Sequence, residues 1–400
     1  MRIYSASSEE TLRARKLLTD WVGEGFLTKP QYQLLERESV SELRTTNIFL
    51  RLVLFLFTLI SVGAAVALFF VASRPSQQTT GVFFLIFAAV CYAAAEVAVS
   101  QARLYRYGIE EALAVCSVAF LCAGMQFAFF SCRLYSPRPD AAQCLIPAAG
   151  VVLSLWIWRR FGLSYAFPAA MIFVIFLPGY WTSSRSTQHL IVAVFYAAGL
   201  AGVAAVHSRH RFDYLDEAYS LVEAFLWLGI YLAINLQLSS VDLLRRWWGG
   251  PPAATEFSRP FYWATWVLIW CLPPVVLARG LRQKDRFVIA VGAIAAILTL
   301  VTNKPYLGWQ RHTWDPMLLG ALLIAVALLI RRWLAEGPSG IRRGFTAQRL
   351  SGKDKRWMNA GVATIGLVSP NIMTPSPQTG SPDVHFGGGD SGGGGASSDF

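Results

Sequence analysis

Between residues 48 and 330 the chain is a succession of long apolar runs with few charges, and no other feature constrains its fold as strongly. Ten runs can be drawn: 48–72, 81–100, 112–131, 141–158, 161–180, 190–206, 219–238, 261–277, 287–302 and 316–334. They approach or exceed the roughly 20 residues that a helix needs to cross the hydrocarbon of a bilayer. Lipid offers no partner to an open strand, so each run is expected to be helical. Only 15% of the residues are charged, against about 25% in soluble domains. The expected fold is therefore all-α, a polytopic transmembrane helical bundle of about ten spans. The first run begins too late and is too long for the core of a cleaved signal peptide, so it is expected to remain as the first span. The runs at 141–158 and 287–302 are short and interrupted by polar residues. Pro168 and Pro178 in the fifth run, and Pro273 and Pro274 in the eighth, are candidate kinks.

The basic residues set the orientation. With the N-terminus inside, 26 of the 35 lysines and arginines fall on the cytoplasmic side, as the positive-inside rule requires. Both basic ends prefer the same side, which favours an even number of spans and an N-in/C-in topology. Aromatic residues such as Tyr180, Trp181, Trp309 and Trp314 stand at expected outer ends, and Trp156, Trp158 and Trp333 at inner ends. Headgroup-level anchoring explains them without a binding role.

Residues 1–47 are polar and read as a cytoplasmic helical hairpin. Ala14, Leu17, Leu18 and Trp21 fall on one helix face. Gly23 and Gly25 punctuate the end of that helix. Thr28 with Gln31 forms a capping box, Pro30 stands in the first turn, and a second helix is expected through Tyr32, Leu35 and Leu43. Such a hairpin is too short to bury much core alone, so it is expected to dock on something, a protein partner included. The stretch Trp21-Val-Gly-Glu-Gly25-Phe-Leu27-Thr28-Lys-Pro-Gln31 resembles the W-x-x-x-G-x-[IL]-[ST]-x-x-Q opening of a group of uncharacterised bacterial multi-pass membrane proteins. The resemblance covers about the first 45 residues and the general hydropathy. It implies a plan, a hairpin followed by membrane spans, and a bacterial inner (plasma) membrane address. It carries over no catalytic residues.

Residues 335–400 read as a tail that is first basic and then rich in glycine and serine, too poor in apolar residues to fold. Arg331, Arg332, Arg342, Arg343, Arg349, Lys353, Lys355 and Arg356 make its start a juxtamembrane basic stretch. Anionic lipid headgroups at the cytoplasmic face are its expected partner. Nucleic acid is not expected, because the stretch lacks interleaved aromatics and any known binding module. Gly387, Gly389 and Gly392 match a dinucleotide-binding pattern, and Gly387, Gly389 and Asp390 an intramembrane-protease pattern. Neither lies after a strand or within a membrane helix, so both are discarded.

Two carboxylates inside the apolar runs are the most informative polar residues. Glu96 and Glu223 each lie about 10 Å inside the expected cytoplasmic boundary at 1.5 Å per residue. Each has a tyrosine four residues earlier, Tyr92 and Tyr219, on the same helix face. In a continuous helix Gln237 would stand about 40° around from Glu223. One reading is a polar cavity serving a proton or ion relay. The plainer one is two carboxylates that snorkel to the headgroups or neutralise a buried arginine. Cys132 and Cys144 flank an expected outer loop; if that side is oxidising, a disulfide between them is one reading, and two free cysteines the other. His207, His210 and Asp213 have metal-ligand types, but Arg209 and Arg211 between them would repel a cation. They are assigned to a basic cytoplasmic loop, and no metal or cofactor is expected.

No catalytic motif of the zinc-protease, P-loop or serine-hydrolase kind occurs. The expected function is non-enzymatic, either an envelope scaffold or passage of a small solute. The alternatives are a proton- or ion-coupled transporter using Glu96 and Glu223, and a membrane-embedded lipid or glycan enzyme.

Overall fold

The computed structural model describes residues 3–23, 25–39, 43–131, 141–210, 215–238, 257–309, 312, 314–336, 341–342 and 345–346. They fall in one compact unit, Met1–Ala347, while a second unit, Gln348–Phe400, lies outside the described residues. The Gly/Ser-rich part of the tail and its discarded motifs lie there.

The chain opens with α1 (Ala6–Gly23) and α2 (Lys29–Glu38), the expected hairpin. The Thr28 N–H donates to Gln31 Oε1 at 3.0 Å, the return half of the capping box. Arg15 and Glu36 tie the two helices together at 2.7 Å. Helix α2 stops sooner than its apolar pattern suggests. The Ser39 N–H still bonds back to Leu35, but Leu43 lies past the helix and its chain turns to pair with another segment.

The body follows as α3 (Ile48–Ser73), α4 (Gln77–Ser100), α5 (Ile109–Ser131), α6 (Leu145–Phe161), α7 (Ala166–Phe176), α8 (Pro178–Trp181), α9 (Arg185–His207), α10 (Asp216–Ile234), α11 (Arg259–Gln283), α12 (Arg286–Tyr306) and α13 (Asp315–Ala335). Among the described residues, eight helices are long and apolar enough to cross a membrane: α3, α4, α5, α9, α10, α11, α12 and α13. The run at 141–158 begins as a 3-10 turn, Ala141–Cys144, and continues as the shorter α6. The run at 161–180 is divided between α7 and the one-turn α8 at Pro178, whose ring and missing N–H stop a helix. Pro168 sits in the first turn of α7 and breaks nothing, and α11 runs through Pro273 and Pro274 as one element. The short run at 287–302 becomes a full helix. Asp285 caps α12 by accepting from the Phe287 and Val288 amides, and the Thr299 and Thr302 hydroxyls bond back within it.

Leu, Ile and Phe cover α3 on nearly all sides. Ile48, Phe57, Ile60 and Leu68 are each at least two-thirds exposed, as are Met317 and Leu329 on α13. Apolar surface of that extent is avoided by soluble monomers but is the natural contact with lipid. The architecture is that of an integral, multi-pass membrane protein. Helix α10 is its centre, with 44% of its apolar window buried, against 6% for α3 and none for α13. Among the described residues four packing clusters surround it or lie beside it, the smallest of them Ala224, Val276 and Val288. One joins α7, α9 and α10 through Met171, Tyr196 and Leu226. A second joins the N-terminus to α4, α5 and α6 through Tyr4, Ala95 and Phe161. A third joins α10, α11 and α12 through Tyr231, Ile269 and Ala295.

The hairpin is tied to one end of this body, termed here the hairpin face. The Ile3 N–H donates to the Arg160 carbonyl at 3.0 Å, and the Tyr4 hydroxyl to the Leu104 carbonyl at 2.9 Å. Burial pushes the Tyr4 phenol well above the ordinary tyrosine range, so it remains a donor. Arg44 exchanges backbone bonds with Arg103 and Tyr105, and Lys16 approaches Glu217 at 3.7 Å. The residues 1–47 therefore dock first on the chain's own bundle.

Candidate proton-binding site

Besides Arg15–Glu36 within the hairpin, arginine–carboxylate pairs among the described residues join helices of the body near the hairpin face. Arg51 of α3 donates through Nε to Glu111 Oε2 of α5 at 2.8 Å and also contacts Oε1. Gly108, at φ +105°, lets the α5 entry reach α3 closely enough for this pair. A Cβ there would lie 2.3 Å from the Arg51 carbonyl. Arg160 of α6 straddles Glu96 of α4, with Nε 3.1 and 3.4 Å from the two carboxylate oxygens and a further contact from Nη2. Arg279 of α11 donates through Nε to Glu223 Oε1 of α10 at 2.6 Å.

The surroundings of the two intramembrane carboxylates differ. Glu96 and Arg160 are each more than a quarter exposed. Beside them the Trp156 indole donates to the Tyr92 hydroxyl at 2.7 Å, and Tyr92 packs on Phe161. This is a clamp between α4 and α6 at the exposed surface of the body. Glu223 is wholly buried. Its second oxygen, Oε2, lies 3.1 Å from His207 Nδ1, and His207 Nε2 lies 2.9 Å from Asp216 Oδ1. Tyr219 stacks against both His207 and His210, and the Trp158 ring meets Tyr219 edge-on at 5.9 Å. Ser220, one turn before Glu223, donates to Asp285 Oδ2 at 2.5 Å.

The imidazole thus stands between two carboxyl groups, each ring nitrogen facing an oxygen. An ionised carboxylate only accepts, and a neutral imidazole carries one N–H. Both contacts can be hydrogen bonds only if the trio Asp216–His207–Glu223 holds one proton beyond two carboxylates and a neutral ring. That proton also balances charge, since two carboxylates beside one guanidinium leave an excess negative charge in a poorly solvated place.

The structure brings Tyr219 and Glu223 into this cluster, and Tyr92 and Glu96 into the other. Gln237 belongs to neither. Helix α10 ends at Ile234 and Asn235 is extended, so the angular relation expected from a continuous helix fails. From Glu223 to the end of α10 at Ile234 is about 16 Å at helical rise, and Gln237 lies beyond that end. Its amide donates to the Tyr262 hydroxyl at 3.1 Å. There it joins a second buried network, in which Asn235 Nδ2 donates to Tyr231 and Thr302, and Tyr231 meets Thr299. The disulfide reading of Cys132 and Cys144 has one end on view. Cys132 lies outside the described residues, and Cys144, which precedes α6, is a free thiol.

His207 is the residue that pattern reading misplaced. The arginines around it suggested a basic loop, yet it closes α9 and is buried. Asp213 lies outside the described residues, and among those described no group of three His, Cys, Asp or Glu is arranged to hold a metal ion. The usable signal was the spacing of Asp216 and Glu223, seven residues apart on one helix face, which calls for a positive or proton-bearing partner between them. Arg279, near the end of an apolar run, carried the same message.

No family model, curated protein or solved structure matches this chain.

Proposed function

We propose that the protein is a non-enzymatic, proton-linked carrier of a small solute in the bacterial inner membrane, with ten spans and both ends in the cytoplasm. The observation that carries this reading is the placement of the His207 ring between the Glu223 and Asp216 carboxyl groups, with Arg279 on the far oxygen of Glu223. Burying a carboxylate costs desolvation free energy even when it is paired, and buried titratable groups with specific charged partners concentrate at functional sites. Histidine is also the side chain whose charge changes most readily between about pH 5 and 8. The site is reached from the hairpin face, where Asp216 is partly exposed. The groups facing His207 are Asp216, Glu223 and Tyr219 of α10, with Arg279 of α11 behind Glu223.

In this reading Glu96 is a fastener between helices. The basic stretch after α13 rests on anionic headgroups. The exposed Leu17, Trp21, Phe26 and Leu34 of the hairpin are the surface offered to a protein partner. The likeness of residues 21–31 to the opening of bacterial multi-pass membrane proteins supports the address.

The experiment is proton flux into proteoliposomes under an imposed potential, followed with an internal pH dye. Wild-type protein and Glu96→Gln are expected to pass protons. His207→Gln and Glu223→Gln are expected to lower the rate at least tenfold. Equal rates in all four proteins would reject the role of the cluster.

A further inference from the structure

The molecule has a second feature whose chemistry the proton cluster does not use. A cavity of about 310 Å³ lies between α5, α6 and α7, at the lower end of the range typical of ligand sites. Ala114, Val118, Ile157, Ala169 and Phe173 make its wall almost wholly apolar. Val115 and Ile172, also in the wall, are 37% and 49% exposed, so the cavity opens sideways between α5 and α7. A lateral opening lined by apolar side chains gives onto the bilayer interior.

Two hydroxyls interrupt this wall. Ser154, 1% exposed on α6, and Tyr165, just before α7, both line the cavity. The Ser154 Oγ and Tyr165 Oη atoms are buried and have no hydrogen-bond partner among the described residues. A serine inside a helix ordinarily bonds the carbonyl one turn back, and a buried hydroxyl left unpaired is destabilising. Water is a poor solution, because an apolar cavity with so few polar partners stays dry. An alkyl chain alone would leave both hydroxyls unpaired.

We propose that this cavity binds one diacyl glycerolipid of the surrounding bilayer. Its acyl chain fills the apolar space, and its two ester carbonyls accept hydrogen bonds from Ser154 and Tyr165. A diacyl lipid offers two neutral acceptors beside its apolar chains, which matches two donors in an uncharged wall. The lipid then becomes part of the packing among α5, α6 and α7. It sits beside the Arg51–Glu111 pair, which lies one turn before Ala114 on α5.

The test uses full-length protein reconstituted with a phosphatidylcholine bearing a photoreactive group on one acyl chain, with labelled peptides mapped after irradiation. Labelling is expected to concentrate in residues 114–119 and 165–173. The double substitution Ser154→Ala, Tyr165→Phe keeps the shape and is expected to cut labelling there about tenfold, with labelling of α3 unchanged. Ala169→Phe fills the space and is expected to abolish it. If that variant does not fold, Gly150→Ala serves instead. A Cβ at Gly150 would lie 2.8 Å from the Phe173 ring, so this ring, which lines the cavity, would have to shift. Unaltered labelling in the double variant would mean general contact with surrounding lipid and would overturn the proposal. So would displacement of the label by a quinone at lower concentration than by unlabelled phosphatidylcholine.

Discussion

Glu96 and Glu223 look alike in the sequence. Each follows a tyrosine by four residues, and each meets an arginine from another helix. Their surroundings separate them. The Glu96–Arg160 pair is partly exposed, with more than a quarter of each side chain accessible. Glu223 is fully enclosed, and its second oxygen is turned to an imidazole that faces a further carboxylate. Depth and sequence neighbours do not decide what an intramembrane carboxylate does. The groups that enclose it do.

That contrast can be broken by substitution. The largest effect is expected for Glu223→Ala, which leaves Arg279 and His207 without their shared acceptor. Removing one member of a buried ion pair costs about 3–5 kcal/mol, read as a loss of thermal stability in detergent. Glu223→Gln combined with Arg279→Gln should recover part of that loss, since no uncompensated charge then remains. A double variant less stable than Glu223→Ala would contradict the pairing.

Glu96→Gln should cost less, about 1 kcal/mol, because its pair is partly exposed. A loss as large as that of Glu223→Ala would erase the distinction between the two sites. Asn235→Leu, in the second buried network, removes the donor to Tyr231 and Thr302 and should cost about 1–3 kcal/mol. It is expected to leave the proton flux through the His207 cluster intact if the two networks are independent.

The smallest effect lies at the opposite end of the body. Lys304 of α12 and Asp315 of α13 pair at 2.5 Å, and the lysine holds the Asp315 carboxyl below the usual carboxylate range. The lowered carboxyl means that this pair contributes above the unfolded aspartate range and is lost as pH falls through the depressed value. Lys304→Ala should therefore reduce stability slightly at neutral pH and not at all in strong acid. A loss that persists in acid would contradict the ion pair.

Much of the body was legible in the residues. Every one of the ten apolar runs contains helix, because backbone satisfaction in an apolar setting leaves few alternatives. The breaks were legible only in part. Pro178 stops a helix, whereas the helix continues through Pro273 and Pro274, and the residue type alone does not tell the two cases apart. The two glutamates were visible as anomalies, but their partners were not. Arg160 and Arg279 are more than 55 residues away from them in sequence, and which helices come side by side is a tertiary fact. His207 was hidden by its basic neighbours, and Gln237 was misassigned because the turn at Asn235 leaves no strong local signal.

The most direct test is nitrogen NMR of the imidazoles in the detergent-solubilised protein across pH 5 to 8, a range in which histidine ordinarily titrates. The chain holds only five histidines, so His207→Gln identifies the signal. With both ring nitrogens facing carboxyl oxygens, the His207 imidazole is expected to share its second proton with Glu223 or Asp216, and Glu223→Gln is expected to change its spectrum more than Glu96→Gln does. A His207 ring that stays singly protonated with both carboxyl groups ionised, and that does not respond to Glu223→Gln, would contradict the account.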